Sequence, residues 1–394
     1  MKKTILNPAA TRALVPHLAK TRNPNVWIYR YDHPNSWRLS IATHAEPGSN
    51  KLSLGGFRIA PEERTSMPGF DSDIEAIELA MGMEDKVCWS RILGVGGPLA
   101  RRDISRIVGG KCVLHPTADG RVGQPRDREL LDFATACLID CDLTAGIRIT
   151  TGQDLGHGIM SDGRTESLDY LHRGFRGSVV ADTSKPTAQG NYHVLCGMLE
   201  AFDVSPADAT VGLIGCGKVG MHVIERLREH GTRMVAVEAT PERRDALARL
   251  GVTVRAPHEK GMFLSEPMDA LVLNASGNSL DRESVRLSAA NSRLKVVCGS
   301  ENLVMQDPLD ADIYRAAHKA YCPTELGGMM GYLTAVEQYL AELESLPFDV
   351  ASLMEAAASL GRSAREAVKY MVHHDFAIGF EAAIEANRSQ LSGP

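Results

Sequence analysis

At 394 residues the chain is longer than one ordinary core supports, so two domains are expected. A formal charge of −6 and a pI near 6.1 leave no basic field for nucleic acid or anionic lipid, and no run of like charges reads as an interaction tail. The eight cysteines, at 88, 112, 137, 141, 196, 216, 298 and 322, form no CxxC pair and are too sparse for a disulfide scaffold; they imply reduced thiols, a cytoplasmic protein and no metal site, with Cys137 and Cys141 as small buried apolar residues.

Met1-Lys-Lys opens like a signal sequence, but Asn7, Pro8, Arg12 and Pro16 break the apolar run that export requires. No later run is long enough to span a bilayer, so no membrane partner is expected. Val26–Tyr31 and Arg38–Ala42 alternate as strands between turn residues. Ser72–Met83 reads as a helix capped by Ser72 or Asp73, with Ile74, Ile77 and Met81 on one face. Val87–Pro125, rich in Gly, Pro and Arg, reads as loops and short strands, followed by a helix from Arg126 to Ile139 and a strand at Ile147–Thr150. Pro186 sits just inside a helix running to about Phe202, and Asp203–Ala209 is a linker.

Next comes an apolar run, Val211 to Ile214, opening onto Gly215-x-Gly217-x-x-Gly220, a helical stretch, and a second apolar run, Met234 to Val237, that ends on Glu238. This is the dinucleotide fingerprint in full context. Gly215 makes the strand-to-helix turn, Gly217 lets backbone approach a pyrophosphate, and Gly220 lets the helix lie close on the strand, so that a helix N-terminus starting at Lys218 and Val219 holds the phosphate charge. A carboxylate at Glu238 accepts from ribose hydroxyls and repels a 2′-phosphate, which favours NAD over NADP; Arg243 and Arg244 blunt that preference. Strands and helices then alternate through Val252–Val254, Ala270–Asn274 and Val296–Cys298, as in a parallel sheet with right-handed crossovers, and Asn274 is expected among the cofactor contacts. The fold class is therefore α/β in two domains: an N-terminal α/β domain over residues 1–186, and a Rossmann-like doubly wound NAD-binding domain over 187–344. Helices over about 345–394 either cap the second domain or return to the first.

Upstream of the fingerprint, five short motifs follow in order: Leu54-Gly-Gly-Phe-Arg-Ile59, Ala80-Met-Gly-Met-Glu-Asp-Lys86, Val108-Gly-Gly-Lys-Cys-Val-Leu114, Thr150-Thr-Gly-Gln-Asp-Leu-Gly156 and Pro186-Thr-Ala-Gln-Gly190. Together with Cys298-Gly-Ser-Glu-Asn302, they resemble the glutamate/leucine/phenylalanine/valine dehydrogenase family, most closely its leucine and phenylalanine branch, over about residues 50 to 335. The resemblance implies NAD-dependent reversible oxidative deamination of an L-amino acid to a 2-oxo acid and ammonia, by a homo-oligomer that binds substrate and self-associates through its first domain. It implies that Lys86, with the Gly55-Gly56 backbone, anchors the substrate carboxylate. Lys111 would be the desolvated base that activates water, and Asp154 would exchange protons with the substrate nitrogen and pair with that lysine. Asn302 would bond the substrate, and Thr187 would meet the nicotinamide carboxamide.

The sequence departs from the family in the length between the two lysines. An ungapped alignment places Pro98, which cannot transfer a proton, at the base position; a gapped one keeps Lys111 and the apolar strand after it, and is preferred. It leaves Val87–Gly110, with Trp89, Arg91, Arg101, Arg102 and Arg106, as an insertion expected beside the active site. Glu301, and the shortened Cys322-Pro-Thr-Glu-Leu-Gly-Gly328, add carboxylates near the expected side-chain pocket, which suits a polar or cationic substrate, unless both point to solvent. Two other classes stay open: an NAD-dependent reductase of another oxo acid or imine, and an NAD-binding pseudoenzyme lacking the catalytic lysine.

Overall fold

The computed structural model describes residues 1–391, which form two compact units. The first comprises Met1–Thr183 and Tyr332–Asp349; the second, Ser184–Gly331 and the chain from Val350 onward. The first unit thus ends three residues before the expected boundary, and it recruits most of the Met329–Glu344 helix, which the sequence assigned to the nucleotide domain.

The first unit is built on strands β1 (Lys2–Leu6), β2 (Trp27–Asp32), β3 (Arg38–Thr43), β4 (Leu52–Ile59), β5 (Ile107–His115) and β6 (Arg148–Gln153), in the order β1-β2-β3-β5-β4-β6. β2 and β3, the two expected strands, pair antiparallel, and β5, β4 and β6 run parallel. β1 was not legible: a five-residue edge strand with two lysines has little pattern of its own, and it is held by pairing with β2 and by the Lys3 ammonium, 2.7 Å from Asp140 Oδ2.

The helix over Ser72–Leu93 starts at Asp71, whose side chain accepts from the Asp73 amide, and stops at Gly94 in the left-handed conformation, φ 62°. It outruns the expected end at Met83 by ten residues, because Glu84, Lys86 and Ser90 are buried rather than solvated. Gly109 permits the approach: a Cβ there would lie 2.6 Å from Glu84 Cα, and the Gly109 amide donates to Glu84 Oε2 at 2.6 Å.

The Val87–Gly110 segment is ordered. Pro98–Asp103 is a short helix whose Leu99 and Ala100 amides donate to the buried Glu337 carboxylate at 3.0 and 2.8 Å. Arg91 donates to the Ile104 and Ile107 carbonyls, and Arg22 lies over the buried Trp89 ring at 4.9 Å. Arg102 pairs with Asp103 and Glu344. With Arg106, Asn50, Leu52 and Arg148, it lines a pocket of about 280 Å³ where β4, β5 and β6 begin. Arg91, Arg102 and Arg106 therefore do not stand at the end of the sheet where Asp154 follows β6, and the expectation that they lie beside the active site is corrected: they hold a loop or line the opposite strand ends.

The second unit carries β7 (Thr210–Ile214), β8 (Arg233–Val237), β9 (Thr253–Arg255), β10 (Ala270–Leu273), β11 (Val296–Gly299) and β12 (Ala320–Tyr321). All neighbours are parallel, in the order β12-β11-β10-β7-β8-β9, so the winding reverses between β7 and β10, the switch point where open α/β sheets bind ligands. The Ser184–Glu200 helix packs on the Val350–His373 helix at a glycine pair: a Cβ on Gly197 would run into the Gly361 carbonyl. The chain beyond Val350 thus belongs to the nucleotide-type unit.

Candidate active site

In the first unit, strand register assembles the charged centre. Gly56 pairs with Gly152 of β6, and the next residue, Phe57, pairs with both Cys112 of β5 and Gln153 of β6. Lys111 precedes Cys112 and Asp154 follows Gln153, so both flank Gly56. The Lys111 ammonium donates to Asp154 Oδ2; Lys111 is buried and the Asp154 side chain is 9 % exposed. Glycine at 56 leaves room for the pair: a Cβ would stand 2.8 Å from Lys111 Nζ and 3.1 Å from Asp154 Oδ2. Gly56→Ala is accordingly expected to lower kcat roughly ten- to a hundredfold, since displacements of this size cost about that much. Unchanged steady-state turnover would remove the pair from the chemistry.

Two residues for which no role was expected complete this centre. Arg58, 1 % exposed, donates to Glu75 Oε1 at 2.5 Å and to Asp154 Oδ1 at 3.3 Å. The available signal was a charged side chain inside an otherwise apolar, glycine-containing strand; Glu75, on the helix, offered none. Burial and the Arg58 guanidinium draw the Lys111 pKa below that of an ordinary lysine, against the pull of Asp154. For Asp154, burial opposes ionisation, but Arg58 and Lys111 prevail and hold the carboxyl well below the usual range. Lys86 is buried on the Ser72–Leu93 helix, and Gly55 is pressed against β5, where a Cβ would strike the Gly110 carbonyl. Pro98, the rival of Lys111, only opens the helix capped by Glu337.

The second unit holds the other expected residues. Gly215 is left-handed at φ 85°, with Ala275 Cα 2.5 Å from where a Cβ would be, and a Cβ on Gly220 would strike the Gly215 carbonyl. A Cβ on Gly217 would meet nothing within 4 Å, and Gly217 caps the Lys218–Glu229 helix, with Lys218 exposed and Val219 half-buried in its first turn. This open cradle at a helix N-terminus fits a pyrophosphate. Glu238 is buried; it accepts from the Cys216 amide at 2.9 Å and the Thr240 amide at 2.8 Å, with Arg243 3.8 Å away. Burial opposes its ionisation, yet those amides hold it below the usual carboxyl range. Arg244 is turned onto the carbonyls of Glu238 and Ala239.

Asn274, at the end of β10, accepts from Asn191 Nδ2 at 2.7 Å and from the Ser300 hydroxyl at 2.7 Å, which ties it to the loop after β11. Thr187 is buried in the first turn of the Ser184–Glu200 helix, and Asn302 is half-buried after β11. Glu301 answers neither expectation made for it: 2 % exposed, it accepts from the Ala275 and Ser279 amides and the Ser279 hydroxyl, so it clamps the loop after β10 instead of facing a substrate or solvent. Burial pushes its pKa up to about 7.

No family model matches the chain. It is 28% identical over 184 residues to the valine dehydrogenase of Streptomyces virginiae, covering 45% of each chain. It is 26% identical over 286 residues to the valine dehydrogenase of Streptomyces albus, covering 70% of this chain and 69% of that one. The match thus spans about half the length of the first relative. Among solved structures, the L-tryptophan dehydrogenase of Nostoc punctiforme superimposes with a TM-score of 0.61 over 96% of this chain and 97% of its own, at 16% identity. The chain is thus similar in sequence to valine dehydrogenases and shares its fold, along nearly its whole length, with the L-tryptophan dehydrogenase.

Proposed function

We propose that the protein is an NAD-dependent amino acid dehydrogenase that interconverts an L-amino acid and its 2-oxo acid with release or uptake of ammonia. The observation that carries this reading is the buried Lys111–Asp154 pair beside Gly56. A lysine desolvated next to an arginine gives up its proton more readily than a free one, so it can take a proton from water attacking an iminium carbon. Asp154, anionic and in contact with that lysine, is the partner that exchanges protons with the substrate nitrogen. Lys86 and the β4 backbone at Gly55 and Gly56 hold the substrate carboxylate, with Asn302 bonding the substrate.

The first unit would bind substrate and the second NAD, held by Gly215, Gly217, Lys218, Val219 and Gly220 at the phosphates, by Glu238 at the ribose, and by Thr187 and Asn274 towards the nicotinamide. When bound, NAD supplies the hydride acceptor. The reading includes a cytosolic homo-oligomer, which the free cysteines and the exposed Ile5, Ile139 and Leu143 of the first unit support; sedimentation tests the assembly. Among the described residues, no helix is long and apolar enough to cross a membrane.

The test is NADH production across a panel of L-amino acids, with the reverse reaction run with and without ammonia. Deamination chemistry requires ammonia, reduction of an oxo acid does not, and a pseudoenzyme turns over neither. Glu238→Ala is expected to narrow the NAD/NADP gap and to weaken NAD several-fold, because each lost bond from a backbone amide to a charged acceptor contributes about 1.5–3 kcal/mol, part of which water restores. A wild type that used NADP better than NAD would overturn the role of Glu238.

A further inference from the structure

Arg58, almost wholly buried, has no solvent to explain its charge. Its guanidinium bridges two carboxylates, Glu75 Oε1 at 2.5 Å and Asp154 Oδ1 at 3.3 Å, while Lys111 takes the other oxygen, Oδ2, of Asp154. The two oxygens of Asp154 are thus divided between a permanent cation and a titratable one. A buried arginine kept only for stability is weak economy, since ion pairs in cores are commonly replaced by apolar residues without loss. What it does supply here is orientation and a fixed positive charge beside Lys111.

Resting on the reading of Lys111 as the base, we propose that Arg58 is a positioning residue for the proton transfer: it fixes the Asp154 carboxylate through Oδ1 and sets a permanent positive charge beside the Lys111 ammonium, with Glu75 controlling how much of that charge Lys111 feels.

The groups around this centre are few. β5 contributes Lys111 and Cys112, the segment after β6 contributes Asp154 and His157, and the Ser72–Leu93 helix contributes Glu75 and Glu78. Arg64, on the short Glu62–Thr65 helix, stands 3.8 Å from Glu75. His157 adds no charge: burial lowers its pKa, and its ring bonds the Ser167 hydroxyl at 3.0 Å and the Phe57 carbonyl at 2.9 Å. Cys112 is buried and its thiol is pushed above the ordinary range, so it stays neutral. The local charges that set the Lys111 proton are therefore Asp154 and Arg58, with Glu75 acting through Arg58.

The sign of the effect follows. Arg58 opposes a proton on Lys111, and Glu75 partly cancels Arg58. Arg58→Met should move the acidic limb of the kcat/KM profile for amino acid oxidation to higher pH by about one unit, the shift that a neighbouring charge produces, so that activity at a fixed pH on that limb falls about tenfold. Glu75→Gln, nearly isosteric, should move it to lower pH. Arg58→Lys, which keeps the charge but not the fork, should restore the limb while kcat stays reduced. Circular dichroism and thermal unfolding of the whole chain check that each variant is folded.

A merely structural Arg58 would lower kcat with both limbs unmoved, and shifts of the same sign in Arg58→Met and Glu75→Gln would overturn the proposal. If Arg58→Met does not fold, the direction of the Glu75→Gln shift decides alone. Titration of 13C-labelled lysine, followed at Lys111, separates this inference from the functional reading. A wild type without amino acid turnover sinks deamination, whereas a Lys111 titration unmoved by Glu75→Gln sinks the role of Arg58.

Discussion

Replacing Lys111 with alanine is expected to lower kcat by about 10²–10⁴, the range over which a positioned general base contributes, with little change in NAD binding. The loss belongs to kcat because the lysine acts while water adds to the carbon that has lost its hydride, not when substrate binds. Asp154 is left buried, but it still has Arg58 at 3.3 Å and its own link to the Leu155 amide at 2.7 Å, so the variant keeps the carboxylate partnered and the fold intact. In the wild type, the rate should rise with pH as the lysine loses its proton, at a pH below that of a free lysine, because burial and Arg58 destabilise the ammonium. That limb should vanish from whatever activity remains in Lys111→Ala. Full turnover in the variant would reinstate the ungapped alignment, and the reaction would have to be sought elsewhere than at this pair.

A different signature is expected from Lys86→Ala. The side chain is 5 % exposed on the inner face of the Ser72–Leu93 helix, in a unit whose other buried lysine is Lys111. Loss of a charge-assisted bond to a carboxylate costs roughly 1.5–3 kcal/mol, so substrate affinity should fall by one to two orders of magnitude while NAD affinity holds. Competitive inhibition by a 2-oxo acid, measured against the amino acid, reports the same loss without depending on the rate of hydride transfer. A parallel fall in NAD affinity would identify Lys86 as a fold residue.

Local chemistry and spacing made the second unit the easier to read. Gly215, Gly217, Gly220 and Glu238 are recognisable because a strand-to-helix turn around a phosphate leaves the backbone few choices, and those choices show in the residue types themselves. The alternation that follows implies a parallel sheet, and the sheet has that order. Even so, Glu238 was legible only as an acid at a strand end; that it holds the Cys216 amide of the glycine turn is a matter of side-chain packing.

The first unit was legible as a series of motifs and not as a site. By itself, the sequence determined two α/β domains, the nucleotide fingerprint, and Lys111 and Asp154 as candidates 43 residues apart. Tertiary structure alone decided that these two meet, because β5 and β6 are not hydrogen-bonded to each other and are brought together only by β4 between them. It also decided the cases in which one-dimensional pattern misleads: the helix that continues past Met83 because its charged residues are buried, the insertion arginines spent on their own loop, and Glu301 turned into a backbone clamp. Arg58 and Glu75 belong with them, since a charge's partners in a buried network lie across strands and helices and leave no period or spacing in the chain.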